Sequence, residues 1–247
     1  MEIIGIIPAR FASTRFPGKP LADIHGKSMI RRVYEQCVKA KLDRIIVATD
    51  DARIYEHVKN FGAEVVMTSK EHQSGTDRIA EAASILKLSS DTIVLNIQGD
   101  EPFINPNDII SLGNCFKVEG TQIATLVKKI TEVDVLLNPN SPKVVLALNN
   151  QALYFSREAI PHLRNKAKEN WLAHKEYYQH IGVYAFKCSI LKEISLLKTS
   201  PLEQTEGLEQ LRWIENNYTI NTVQTSSESI AVDSPEDLRR IDEKFFS

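Results

Sequence analysis

The chain has 247 residues, a net charge of −2 and charges of both signs interspersed. Neither a basic stripe nor an amphipathic anchor is present, so nucleic acid and membrane are excluded as main partners, while the length suits one large α/β core. Cys37, Cys115 and Cys188 lie far apart with no C-x-x-C, which supports neither a disulfide framework nor a zinc site and fits a reducing cytoplasm.

The first element is the aliphatic run Ile3 to Ile7, rich in β-branched residues, which predicts a strand buried on both faces. It is too short for a signal or membrane-spanning segment and has no basic residues before it. The run stops at Pro8 and a loop follows to Leu21, carrying Arg10, Arg15 and Lys19 among small residues such as Ala9 and Ser13, with a turn at Pro17-Gly18. Two guanidiniums, one ammonium and exposed backbone N–H groups at the carboxyl end of a first strand can surround a triphosphate, although a basic surface loop has the same composition. Gly26-Lys27-Ser28 has the tail of a P-loop, but the glycine required five positions earlier is Leu21, and no Gly-x-Gly-x-x-Gly occurs.

Ser28 predicts the cap of a helix running to about Ala40, and Arg44 to Asp50 reads as a second buried strand. Asp51 opens a helix to about Phe61, closed by Gly62, and Glu64 to Met67 is a third strand. Strand–helix alternation of this kind predicts a parallel, doubly wound sheet. The loop His72 to Arg78 sets Gln73, Ser74, Gly75 and Thr76 at a helix N-terminus, with Arg78 one turn inside. That arrangement favours an anionic or carbonyl-rich ligand, and it is equally an ordinary capped helix ending near Leu88.

A fourth strand, Thr92 to Ile97, runs into Gln98-Gly99-Asp100-Glu101-Pro102. An acidic pair past the end of an apolar strand suits a hard divalent cation; a plain turn before the helix near Pro106 is the other reading. Ile123 to Ile130 is a further strand, and Lys143 to Leu148 with Ala152 to Arg157 predicts a hairpin across Asn149-Asn150, making the second half of the sheet mixed. One domain over 1–247 is expected, with a flap or dimer-contact segment near 157–180. His180 and Tyr184 stand on an apolar strand, where such residues are commonly core groups with satisfied polar tips. Ser200-Pro201-Leu202-Glu203 predicts a capped helix running through Glu209, Gln210 and Trp213, on which Glu209 and Gln210 could be a solvated face. After a last strand at Thr219 to Thr225, Asp233 precedes a second capping box, Ser234 to Asp237.

The segment Pro8 to Leu21 closely resembles the signature loop of the sugar cytidylyltransferases. Matching segments at Gln98 to Pro102, at Tyr154 to Arg157, at His180 to Tyr184 and near Asp233 extend the resemblance over the whole chain. It implies a Rossmann-like doubly wound mixed sheet of the nucleotide-diphospho-sugar transferase type. It also implies transfer of CMP from CTP to 3-deoxy-D-manno-octulosonate (Kdo), releasing pyrophosphate, by a cytoplasmic Mg2+-dependent homodimer of lipopolysaccharide biosynthesis. By the same resemblance Pro8, Ala9, Arg10, Ser13, Arg15, Lys19, Gln73, Ser74, Gly75, Arg78, Gln98 and Asp100 surround the nucleotide. Arg15, Arg157, His180, Tyr184, Glu209 and Gln210 meet the sugar acid, Asp100 and Asp233 hold the metal, and Arg10, Lys19 and the two aspartates carry catalysis. Ala231 and Ser234 replace the family's common glycine and threonine without removing a ligand. CMP-sialate synthesis and a catalytically silent nucleotide-sugar sensor are the alternatives.

Overall fold

The computed structural model describes residues 1–12, 16–227, 232 and 234–238. In chain order the elements begin with β1 (Ile3–Ala9), a 3-10 turn at Lys19–Leu21, the short strands β2 (Asp23–Ile24) and β3 (Lys27–Ser28), and α1 (Met29–Lys39). Then come β4 (Arg44–Thr49), α2 (Ala52–Asn60), β5 (Glu64–Met67), α3 (Gly75–Ile85), β6 (Ile93–Asn96) and α4 (Pro106–Cys115). The remainder is β7 (Ile123–Lys129), α5 (Val133–Leu137), β8 (Lys143–Leu146), β9 (Ala152–Ser156), a 3-10 helix at Lys168–Ala173, β10 (Tyr178–Lys187), α6 (Cys188–Ile194), α7 (Pro201–Glu206), α8 (Gln210–Glu215), β11 (Ile220–Thr225) and α9 (Pro235–Leu238).

The chain divides into two compact units, the first made of residues 1–113, 185–195 and 227–247 and the second of residues 114–184 and 196–226. In the first, β1 pairs in parallel with β4 and β6, and β4 with β5, giving the order β6-β1-β4-β5. Ile4, Ile6, Ile7, Ile46, Val47, Val94 and Leu95 are fully or almost fully buried, so these strands are apolar on both faces as the unbroken runs require. Each such side chain contributes about 1.5–3 kcal/mol on burial. Ser28 caps α1 through Arg31 N, Asp51 caps α2 through Arg53 N, and Ser74 caps α3 through Asp77 N. From β1 the chain winds outward through β4 to β5, and α3 then returns it to β6 on the other side of β1. The strand order therefore reverses between β1 and β6, where the loops leaving their carboxyl ends diverge and a doubly wound sheet receives its ligand.

In the second unit β11 runs parallel to β7, β7 lies beside β10, and β8 pairs antiparallel with both β9 and β10. This is the antiparallel part expected from the hairpin. The helix expected from Pro201 through Trp213 is instead two helices, broken at Gly207, whose φ of 61° lies in the left-handed region. Within the polar stretch 161–176, Trp171 is only 1% exposed; it packs with Ile130, Leu136 and Tyr177 and stacks on Tyr177 at 5.7 Å.

Candidate active site

The loops after β1 and β6 and the N-terminus of α3 enclose a pocket of about 230 Å3 within the first unit. Pro8, Ala9, Arg10, Lys19, Gln73, Ser74, Gly75, Arg78, Gln98 and Asp100 all line it, so ten of the expected nucleotide contacts meet in one place. Pro20, His72 and Gly99 line it as well. Ser13, Arg15 and Asp233 lie outside the described residues.

Lys19 Nζ donates to Asp100 Oδ2 at 2.7 Å, with the two side chains 14% and 30% exposed. The 3-10 turn that carries Lys19 begins after Gly18, whose φ of 71° requires the left-handed conformation. The Gly18 amide donates to the Phe11 carbonyl at 2.9 Å, closing the neck of the loop. Arg53, held by both oxygens of Asp51, lays its guanidinium 3.3 Å from the centroid of the Phe11 ring. Sequence reading missed this brace, because nothing local links residue 53 to residue 11. On the other side, Gly99 lets the loop after β6 approach the loop after β1: a Cβ there would stand 2.8 Å from the Pro8 carbonyl oxygen. The Asp100 carbonyl accepts from the Val232 amide at 2.9 Å.

Arg78 is 3% exposed and its guanidinium is engaged: Nη2 donates to Asp50 Oδ2 at 2.8 Å, and Nη1 to Thr68 Oγ1 at 2.7 Å and to the Ser69 carbonyl at 3.2 Å. It ties α3 to the ends of β4 and β5 and so fixes the pocket wall. His72 Nε2 bonds Glu81 Oε2 at 2.6 Å, and the same oxygen accepts from the Ser69 amide. Burial pushes the Glu81 carboxyl up, but the Ser69 amide and His72 outweigh it and leave the group below its ordinary range. Both contacts steady the loop before α3, a role the residue type alone did not announce.

The remaining expected side chains belong to the second unit. Arg157 donates to three backbone carbonyls, from Nε to Glu206 at 2.7 Å, from Nη1 to Pro139 at 3.0 Å and from Nη2 to Gly207 at 3.2 Å. The Glu206 carboxylate takes the Arg157 amide and the Ser156 hydroxyl. Fully buried Lys143, which sequence reading passed over, donates to the carbonyls of Asn138 and Arg157. Burial lowers its pKa against the pull of Glu158 and Glu206. His180 and Tyr184 are 8% and 7% exposed and tilt together at 5.3 Å, and Tyr184 meets Trp213 edge-on at 5.1 Å. Desolvation lowers His180 to about 3, so its imidazole is neutral, and burial with nearby Glu209 raises Tyr184 well above its ordinary value despite a bond to Thr125. Glu209 stands at the start of α8 beside Gln210, which is 4% exposed with an Nε2 that has no hydrogen-bond partner among the described residues. A buried amide of that kind costs free energy unless something satisfies it.

The cytidylyltransferase family profile matches residues 4–225. The chain belongs to the cytidylyltransferases. A 3-deoxy-manno-octulosonate cytidylyltransferase of Parabacteroides distasonis is 56% identical over 97% of this chain and 96% of its own. One of the same name from Bacteroides thetaiotaomicron is 54% identical, covering 98% of each chain. Among solved structures, a CMP:2-keto-3-deoxy-manno-octonic acid synthetase complexed with CTP superposes with a TM-score of 0.89 at 38% identity, over 97% of this chain and 96% of that one. The mixed, mostly parallel Rossmann-like sheet of this cytidylyltransferase is thus the fold of a nucleotidyltransferase. Among the described residues, no helix is long and apolar enough to cross a membrane.

Proposed function

We propose that this cytidylyltransferase transfers CMP from CTP to Kdo, giving CMP-Kdo and pyrophosphate for lipopolysaccharide biosynthesis, as a homodimer in the cytoplasm. The observation that carries the reading is the pocket where the strand order reverses, with Arg10, Lys19 and Asp100 on its wall, in a chain whose relatives at 54–56% identity bear the name of that activity.

In the reaction the anomeric oxygen of the sugar acid bonds to the α-phosphorus of CTP as the bond to the pyrophosphate oxygen breaks. Catalysis is then chiefly positioning and charge neutralisation. Lys19 and Arg10, with Arg15, bind phosphate oxygens. Ser74, Gly75 and the amides at the start of α3 seat the nucleotide. Arg157, Glu209 and Gln210 hold the sugar acid, and the orphaned Nε2 of Gln210 supports that role because a sugar oxygen would satisfy it. Burial that lowers His180 to about 3 makes its imidazole too weak a base to take the hydroxyl proton, and Tyr184 stays protonated, so neither serves as general base at neutral pH and the proton leaves to solvent.

The donor set fits Mg2+ better than a metal held in a dedicated protein cage. Among the described residues no group of three or more His, Cys, Asp or Glu side chains could hold a metal, whereas Mg2+ uses one or two carboxylates and completes its shell from substrate phosphates. Asp100 and Asp233 would hold it, and when bound it supplies charge neutralisation at the phosphates.

Pyrophosphate release with CTP, measured against Kdo, sialic acid and sugar 1-phosphates, tests the assignment. Turnover with Kdo is expected. Turnover with sialic acid alone points to CMP-sialate synthesis, and binding without turnover to a sensor.

A further inference from the structure

Thr125 lies on β7 of the second unit with no exposure at all, and its hydroxyl is the meeting point of three groups. Its Oγ1 is 2.9 Å from the Val183 carbonyl oxygen, 3.3 Å from that of Ile181 and 3.0 Å from His180 Nε2. A threonine hydroxyl has one proton to give and two lone pairs to receive with. The two carbonyls only accept, so a proton pointed anywhere else would leave oxygen facing oxygen at 2.9 Å. The Thr125 proton therefore goes to the carbonyl edge, at Val183 first. The lone pairs remain, and the one facing His180 must take its proton from Nε2.

This assignment decides the state of the imidazole. A neutral imidazole carries one proton; with that proton on Nε2, Nδ1 is the accepting nitrogen. The ring of Phe155, edge-on to His180 at 5.0 Å, holds the imidazole plane in place.

We infer that Thr125 is a positioning residue that fixes His180 as its Nε2-protonated tautomer and leaves its Nδ1 as a hydrogen-bond acceptor, a polarity suited to the hydroxyl groups of a polyhydroxylated sugar acid. The inference rests on the proposal that His180 meets the sugar.

Its test begins with the unliganded full chain. Proton–nitrogen correlation spectra of histidine-labelled protein, with the His180 signals assigned by their loss in His180→Gln, should show a protonated Nε2 and a bare Nδ1. Thr125→Val keeps the shape but removes both lone pairs, and it should shift His180 to the other tautomer or a mixture; Thr125→Ser should restore the wild-type pattern. In steady-state kinetics Thr125→Val should raise KM for Kdo roughly tenfold, the size of one mispaired buried hydrogen bond, with KM for CTP unchanged. A wild-type His180 protonated on Nδ1, or one still protonated only on Nε2 in Thr125→Val, overturns the assignment, and the wild-type spectrum does so even if the variant fails to fold. A switched tautomer with unchanged KM for Kdo upholds the hydrogen-bond assignment and overturns the sugar-binding reading of His180.

Discussion

At the scale of single residues, the 2.7 Å pair of Lys19 and Asp100 joins the only ammonium among the expected phosphate ligands to an expected metal ligand. Lys19→Ala should lower turnover roughly a hundredfold or more, the usual loss of one charged contact to a transferring phosphoryl group. Tm should move little, because a partly exposed pair contributes about 1 kcal/mol or less. Wild-type turnover in purified Lys19→Ala would remove the residue from the site. His180 gives a second prediction, from pH. Its ordinary value is 6.5 and its folded value about 3, so the unfolded chain binds a proton that the folded chain refuses across that window. The contribution to stability is complete above pH 6.5 and is lost as pH falls toward 3. From about pH 6 to about pH 5, above most carboxylates, wild type should lose about 1 kcal/mol more unfolding free energy than His180→Gln in denaturant titrations. Parallel slopes for the two proteins would mean that the imidazole is not desolvated. The cations of the first loop were legible because residue type and position coincide at a strand end. Thr125 and Lys143 were not, since a threonine and a lysine amid apolar strand residues look like a filler and a chain-end charge until the fold buries them.

Elements were legible where cap, period and stop residue agree. Ser28, Asp51 and Ser74 each start their helix where expected, and Gly62, with φ of 82°, follows the end of α2. The helix running through Gly207 was misread because its capping box and apolar period continue across a residue that in the structure adopts a left-handed turn. There the bidentate pair of Arg212 with Glu203, at 2.5 and 2.6 Å, joins the two helices across the break. The Phe11–Arg53 and Gly99–Pro8 contacts were invisible for another reason, as they depend on which strands become neighbours. Gly99 converts that adjacency into a prediction. A methyl group there meets backbone at 2.8 Å, which no rotamer change relieves, so the loops after β1 and β6 must separate. Gly99→Ala should retain its circular dichroism yet lose roughly ten- to a hundredfold in kcat/KM for CTP, since small displacements of positioned groups carry costs of that size. Unimpaired kinetics would show that the pocket does not depend on this approach.

At the scale of the whole molecule, the described ligands are distributed unevenly: the ten nucleotide groups that line the pocket, Asp100 among them, fall in the first unit, and Arg157, His180, Tyr184, Glu209 and Gln210 in the second. The first unit is itself assembled from both ends of the sequence, and the bond from the Val232 amide to the Asp100 carbonyl joins them. Asp233 follows Val232 directly in sequence, which is the support for proposing that Asp233 and Asp100 serve one cation. Two carboxylates that share a cation repel when it is absent, so the metal should bind poorly alone and tighten when CTP arrives with its phosphates. Asp100→Asn and Asp233→Asn should each abolish most turnover while leaving Tm little changed or raised. Once either carboxylate is gone the shared cation is lost, so the double variant should be scarcely worse than either single one, a large coupling in the mutant cycle. Titration of Mg2+ by calorimetry in the presence of CTP gives the same comparison without turnover: each single variant should lose the binding event that the double variant lacks. Losses that multiply in the double variant, or a single variant that still binds Mg2+ with CTP as wild type does, would mean that the two aspartates act independently.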